Sequence, residues 1–183
     1  GGEAWSLAML AASALAVDPA GLGGAVIRAW PGPQRDAWMT AFRGLLPEGE
    51  TPWLRMPPET GDDGVLGGLD LATTLAEGRP VAQPGLIARA DGGVLSVPGA
   101  ERLPRRLAAL LLHALDRCSI PAPDGAHRLE AHLAVLALDE GASAEERVAP
   151  GLGARLAFHL GLEHVALADM APPAADARHV RAA

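Results

Sequence analysis

The chain is expected to fold as an α/β domain in which a mainly parallel sheet is covered by helices on both faces. Three observations predict this. The first is a pair of short apolar runs, Gly24-Ala-Val-Ile-Arg28 and Leu133-Ala-Val-Leu-Ala-Leu138. The second run has almost no polar interruption, which suits a central strand buried on both sides rather than the alternating pattern of a half-solvated one. The second observation is helical spacing between and around them: Ala37, Trp38, Ala41 and Leu45 share one face, as do Leu103, Leu107, Leu110, Leu111 and Ala114. The third is the order, strand-type and helix-type stretches alternating along 183 residues, enough chain to bury a sizeable core.

Each element follows from its neighbours. Glu3 to Ala16 is rich in Ala and Leu without Gly or Pro, and Val17-Asp-Pro-Ala-Gly21 ends it in a loop. Gly24 to Arg28 is a buried strand, Trp30-Pro-Gly-Pro33 a turn, and Gln34 to Leu46 a helix. Thr51 to Met56 is a second strand, and Leu69 to Glu77 a helix stopped by Gly78 at its C-cap. Gly85 to Ala90 and Gly93 to Val97 read as paired strands around Asp91-Gly92, a dipeptide suited to a tight hairpin. Glu101 to Arg117 is the clearest helix. Cys118 to Leu129, with Pro121, Pro123 and Asp124-Gly125, is a projecting loop or hairpin. Leu133 to Leu138 is the central strand, Pro150 to Leu160 a short helix, Glu163 to Leu167 a last strand, and Ala174 to Ala183 the opening of another helix.

Composition narrows the function. A net charge of −7 with basic residues scattered singly gives no electrostatic footprint for DNA or RNA, and 3% aromatic content leaves few stacking platforms. Nucleic acid is not an expected partner. One cysteine, Cys118, makes no internal disulfide, and no run long enough to span a membrane is present, so a soluble protein of a reducing cytoplasm is expected. The six histidines contain no HxxxH pair, and with a single cysteine no dedicated metal site is expected. The Gly21-Leu-Gly-Gly24 and Gly151-Leu-Gly153 stretches lack the strand-then-helix context of a dinucleotide fingerprint, and no GxSxG nucleophile pattern occurs. There is also no lysine. A GC-rich genome explains that equally well, but it removes the ammonium on which a GxxxxGK[ST] phosphate loop depends.

Four blocks carry a resemblance: Asp62-Asp-Gly-Val-Leu-Gly-Gly-Leu-Asp-Leu71, Gly78-Arg-Pro80, Pro84-Gly-Leu-Ile-Ala-Arg-Ala-Asp-Gly-Gly-Val-Leu95 and Pro150-Gly-Leu-Gly-Ala-Arg155. With them the chain resembles, over nearly its whole length, the D subunit family of magnesium chelatase, the enzyme that inserts Mg²⁺ into protoporphyrin IX for chlorophyll and bacteriochlorophyll. The same blocks occur in the ATP-hydrolysing I subunit, so the resemblance implies a P-loop NTPase-like core of the AAA+ type with degenerate nucleotide motifs. It also implies a cytoplasmic protein of a photosynthetic bacterium, and a D subunit that continues into a helical lid, an acidic proline-rich linker and an integrin-like domain. None of these lies in residues 1–183, which are expected to form a single AAA+-like core, with Gly1-Gly2 as a cloning remnant.

At the nucleotide positions the chain departs from the active pattern. Ala29-Trp-Pro-Gly-Pro-Gln-Arg-Asp36 stands in place of the phosphate loop. Gly32 is kept, Pro31 and Pro33 have no N–H to offer a phosphate, Arg35 stands for the lysine, and Asp36 puts a carboxylate where a hydroxyl would hold Mg²⁺. Trp30 could plug the vacated pocket. The acidic pair expected after Gly93 is replaced by Pro98 and Gly99, which neither bind metal nor act as a base. Glu101 nearby is expected as a first-turn carboxylate of the following helix. The polar sensor aligns only loosely with Asp139-Glu140, and no role is attached to that pair. Arg155 falls, by resemblance, where an active subunit points an arginine finger into its neighbour's nucleotide; a helix arginine in a surface ion pair is the alternative. Arg102, Arg105 and Arg106 form a basic turn, a solvated face or a contact for an acidic partner.

The expected function is therefore a non-hydrolysing AAA+-like subunit that assembles with the I subunit and couples its ATP cycle to the porphyrin-binding H subunit. The chelatase complex uses ATP and Mg²⁺; this chain is expected to bind neither firmly and to be inactive as an ATPase. The alternative is a weak or regulatory nucleotide binder using Arg35 and Gly32, and a more remote one an interaction domain unrelated to chelation.

Overall fold

The computed structural model describes residues 2–170. Its centre is an all-parallel five-stranded sheet. In chain order the strands are β1 (Gly24–Arg28), β2 (Trp53–Arg55), β5 (Val94–Pro98), β8 (Ala134–Asp139) and β9 (Phe158–Gly161), arranged in space β2-β5-β8-β1-β9. Every residue of β8 is buried, as its unbroken apolar run requires of a strand flanked by two others.

Strand alternation sends side chains into two separate cores. Ala134, Leu136 and Leu138 of β8 with Ala25 and Ile27 of β1 face helices α1 (Gly2–Val17) and α3 (Pro33–Leu45), packing on Ala8, Ala12, Leu15, Trp38 and Phe42. Val135, Ala137 and Val26 face the other way, onto Leu107, Leu111, Ala114 and Leu115 of α7 (Arg105–Arg117) and Leu152 of α8 (Pro150–Arg155). Each fully buried Leu or Ile contributes about 1.5–3 kcal/mol, so these two faces hold the sheet in place. The Trp38 and Phe42 rings stack at 5.4 Å, and the Trp38 indole donates to the Ala8 carbonyl at 2.7 Å, tying α3 to α1.

Several boundaries differ from expectation. The segment expected as a loop at 17–21 contains a one-turn helix, α2 (Pro19–Leu22), capped by Asp18, whose carboxylate accepts from Gly21 N–H. Between β2 and β5 lies a small unit of α4 (Asp62–Leu66), β3 (Gly67–Leu69), α5 (Leu71–Glu77), β4 (Ala82–Pro84) and α6 (Leu86–Arg89), with β3 and β4 paired antiparallel. Gly78 caps α5 in the left-handed conformation, as expected. Gly85–Ala90 is not a strand. Its short apolar run suits either state, and Leu86–Arg89 takes the helical one, while β5 pairs in parallel with β2 and β8 instead of folding back over Asp91-Gly92. The Gly67 and Gly85 pair has a steric origin: a Cβ on Gly85 would lie 2.3 Å from the Gly67 nitrogen where the two backbones cross.

The helix expected from Glu101 begins at Arg105, because Leu103 before Pro104 is forced extended; Ala100–Arg102 form a separate 3₁₀ turn. The segment after α7 is a hairpin, β6 (Ser119–Pro121) on β7 (Arg128–Glu130). α8 ends at Arg155, and the last strand is Phe158–Gly161 rather than 163–167. At the sheet edge β9 alternates partly buried and exposed residues, which masked it inside a helix-like stretch. Leu162 and Val165 are buried without being a strand, and Leu167–Met170 is a 3₁₀ turn. The helix expected over 174–183 lies outside the described residues. No helix among those residues is long and apolar enough to cross a membrane.

Candidate functional site

In open parallel sheets ligands settle outside the carboxyl ends of the strands, so the candidate site is where β1, β5 and β8 end. Three degenerate segments meet there: 29–36 after β1, 98–102 after β5, and 139–147 after β8. They border a cleft of about 600 Å³ whose lining includes Pro31, Arg35, Asp36, Pro98, Arg102 and Glu140.

The segment after β1 enters α3 with Gly32 at the N-cap and Pro33 as the first helical residue; the Asp36 N–H is already used by the Gly32 carbonyl at 3.0 Å. Neither Pro31 nor Pro33 has an N–H, so the donors that would line a phosphate cradle are missing from the entrance to the helix. Arg35 is 9% exposed and turns inward, donating from Nη1 to Glu140 Oε1 at 2.7 Å. Its Nε is buried with no hydrogen-bond partner. Asp36 is exposed on the helix surface. Trp30 does not plug the site: it is 63% exposed and borders a neighbouring recess with Arg28, Gly141 and His164.

After β5, Pro98 closes the strand and Gly99 takes a left-handed φ of +59°. A Cβ on Gly99 would lie 2.1 Å from the Arg102 Nη2, so a carboxylate side chain at 99 and the present place of Arg102 exclude one another. Glu101 is not the first-turn carboxylate of α7. It sits in the 3₁₀ turn with its side chain 3% exposed, Oε2 accepting the Glu140 N–H at 2.9 Å and Oε1 accepting from Arg102 Nη1 at 2.6 Å. Arg102 Nη2 also reaches Glu140 Oε2 at 3.5 Å. Arg35, Glu140, Arg102 and Glu101 thus form one alternating chain of charges across three strand ends.

The end of β8 supplies two residues to which the sequence attached no role. Besides Glu140 there is Asp139, 2% exposed, which takes Arg28 Nη1 on both oxygens at 3.0 and 3.1 Å. Arg28, the last residue of β1, also donates to the carbonyls of Glu146, Gly141 and Ser143 at 3.2, 2.9 and 2.8 Å, which folds the 140–147 loop over the strand end. A single charge closing an otherwise apolar strand was the available signal for Arg28, and an acidic pair closing the apolar run Leu133 to Leu138 was the signal for Asp139 and Glu140.

Arg155 lies elsewhere. It is at the end of α8, beside Gly23 where β1 begins, and its Nε donates to Asp116 Oδ1 at 3.0 Å while Nη2 donates to the Leu115 carbonyl at 3.3 Å. That is the opposite edge of the sheet from the cleft, with about a quarter of the side chain exposed.

Over 179 residues, 98% of its length, the chain is 38% identical to the magnesium-chelatase 60 kDa subunit of Cereibacter sphaeroides. It is a relative of the magnesium-chelatase 60 and 67 kDa subunits. A second relative, the 67 kDa subunit of Chlorobaculum parvum, is 38% identical over 114 residues, 62% of this chain. The chain spans 29% of the Cereibacter protein and 18% of the Chlorobaculum one. No protein-family model matches. Among solved structures, a complex between magnesium chelatase subunits BchI and BchD superposes with a TM-score of 0.66 at 23% identity, covering 87% of this chain and 59% of that one. NtrX from Brucella abortus, in complex with ATP, gives 0.63 at 14% identity, covering 87% and 37%. The fold is that of AAA+ ATPases, with five parallel strands between helical layers.

Proposed function

We propose that this chain is the AAA+-like region of a magnesium chelatase D subunit that does not hydrolyse ATP itself. It assembles with the I subunit, a AAA+ ATPase, and passes the conformational cycle of that partner to the porphyrin-binding H subunit during Mg²⁺ insertion, in the cytoplasm of a chlorophyll- or bacteriochlorophyll-making bacterium. The observation that carries the reading is the Arg35 to Glu140 ion pair. The cation standing where an ATPase needs its lysine is spent on an internal carboxylate, the flanking prolines offer no N–H groups, and Pro98 and Gly99 hold no metal-binding oxygen in their side chains. These residues do not suit a magnesium nucleotide, so ATP and Mg²⁺ are used by the I subunit, and the present chain supplies surfaces to the assembly. The names and similarity of the relatives support placing it in the chelatase.

Two measurements test this. Titration of the purified chain with Mg²⁺ and an ATP analogue should give no saturable binding, and phosphate release should stay at background; magnesium-dependent turnover would overturn the non-hydrolysing role. Size-exclusion chromatography with the I subunit and ATP should give a mixed complex, whereas two unmixed peaks would remove the chelatase assignment. Arg155 is proposed to act across that interface. Arg155→Ala should then lower ATP hydrolysis by the mixed complex while leaving its assembly intact, and an unchanged rate would leave Arg155 as the partner of Asp116 alone.

A further inference from the structure

We propose that Glu140 is a built-in ligand: its carboxylate fills a two-arginine oxyanion site in the cleft at the strand ends, and withdrawing it uncovers a site for a free tetrahedral oxyanion of the phosphate class. This rests on the non-hydrolysing reading above and says what the degenerate site does instead of holding a nucleotide.

The geometry is that of a ligand and its receptor. Arg35 approaches Glu140 from the start of α3 and Arg102 from the 3₁₀ turn after β5, each on a different carboxylate oxygen, at 2.7 and 3.5 Å. The same residue is held from behind, its N–H donating to Glu101 Oε2 at 2.9 Å. One side chain therefore joins three segments that follow three different strands, the task a bound ligand performs at this place in the fold. The match is incomplete in a way that points to a larger anion. Arg35 carries five N–H donors in a fixed fork, is nine-tenths buried, and gives only Nη1 to the carboxylate. Its Nε is the one fully buried side-chain nitrogen or oxygen without a hydrogen-bond partner among the described residues. A planar carboxylate brings two oxygens, whereas a phosphate brings three or four and can meet a guanidinium side-on.

Charge agrees. The ionisable residues lining the cleft are Arg35, Arg55 and Arg102 against Asp36, Glu59 and Glu140. Glu101, bound to Arg102 at 2.6 Å, adds a further carboxylate, so the site is net negative as built and repels another anion while Glu140 is in place. Removing Glu140 takes it to neutrality and leaves Arg35 without its carboxylate in a cleft of about 600 Å³ that has space for an oxyanion.

The experiment compares the unaltered chain with Glu140→Ala and Glu140→Ala/Arg35→Ala, using inorganic phosphate and pyrophosphate as probes in calorimetric titrations, with chloride and sulfate at matched ionic strength as controls. Glu140→Ala should bind pyrophosphate at least about tenfold more tightly than the unaltered chain, about the return of one charge-assisted hydrogen bond. Addition of the anion should raise its melting temperature, and the double variant should lose both effects. Hydrogen exchange at residues 33–36 and 99–103 should speed up in Glu140→Ala and slow again with pyrophosphate. If Glu140→Ala keeps its circular dichroism and gains no binding, or if the double variant binds equally well, the built-in ligand is wrong. Should Glu140→Ala fail to fold, Glu140→Ser, which withdraws the carboxylate and leaves a short polar side chain, carries the same test. Failed assembly of the unaltered chain with the I subunit would strike the proposed function and leave this result untouched, whereas ATP turnover by the unaltered chain would overturn both.

Discussion

Replacing Arg28 by methionine isolates the cation with the most hydrogen bonds among the described residues. Its guanidinium, on a side chain 19% exposed, neutralises Asp139, 2% exposed, and serves the carbonyls of Gly141, Ser143 and Glu146. Methionine keeps the apolar stem and deletes the charge. Removing one partner of a buried pair costs about 3–5 kcal/mol, because the other charge is stranded away from water. Asp139 is not left wholly alone: it still accepts the Gly141 N–H at 3.0 Å, and Arg147 stands 3.9 Å away. The expected loss is therefore near the low end, about 3 kcal/mol, against the ~5–15 kcal/mol that holds a typical domain together. The double variant Arg28→Met/Asp139→Leu removes the stranded charge and should recover most of that loss, since buried pairs exchange for apolar residues at little cost. Urea unfolding followed by tryptophan fluorescence reads both values, Trp38 being fully buried. A single variant within about 1 kcal/mol of the unaltered chain, or a double variant no better than the single, would refute the claim that neutralising Asp139 is what Arg28 does.

Two further outcomes follow from local geometry. Trp38→Phe removes the indole donor from the Ala8 carbonyl, which keeps its place in the α1 helix, and opens space beside Phe42, so it should lower stability by about 1–3 kcal/mol in the same urea assay and loosen α1 first. Asp70, which caps α5, has its carboxyl held below the ordinary range by the Thr73 backbone N–H and then the Thr73 hydroxyl. A lowered folded pKa gives stabilisation that is present above the unfolded value and fades as pH falls through the folded one. Proteolysis of the 62–85 unit should therefore be faster in Asp70→Asn than in the unaltered chain at pH ~7, and the two rates should converge below pH ~4; a gap independent of pH would argue against the carboxylate.

The sheet was readable because its middle is made of short apolar runs bounded by turn and polar residues. Leu133 to Leu138 is apolar throughout and closes on Asp139, and Gly24 to Arg28 carries the β-branched Val26 and Ile27 and ends at a turn. What escaped was settled by distant contacts. Leu86 to Arg89 has no pattern of its own, and its state follows from the crossing of Gly67 and Gly85. β9 hides because an edge strand needs burial on only part of its surface. The missing N–H groups at Pro31 and Pro33 could be read directly, since proline lacks one wherever it sits. The charge pairs at the strand ends could not: Arg35 and Glu140 are 105 residues apart and Arg28 and Asp139 are 111 apart, and only the strand order brings each pair together.

Two hairpins stand apart from the sheet, β3 with β4 on the path from β2 to β5 and β6 with β7 just before β8, and they approach closely enough that a Cβ on Gly67 would lie 3.1 Å from the Pro123 ring. The Arg35, Glu140 and Arg102 chain of charges closes the ends of β1, β5 and β8. The longest strand, β8, runs about 20 Å at ~3.3 Å per residue, and the packed interior around it resists compression. One end of the sheet is thereby closed by charges that all belong to the chain itself, so a load on either end is carried by one packed body rather than by a single strand.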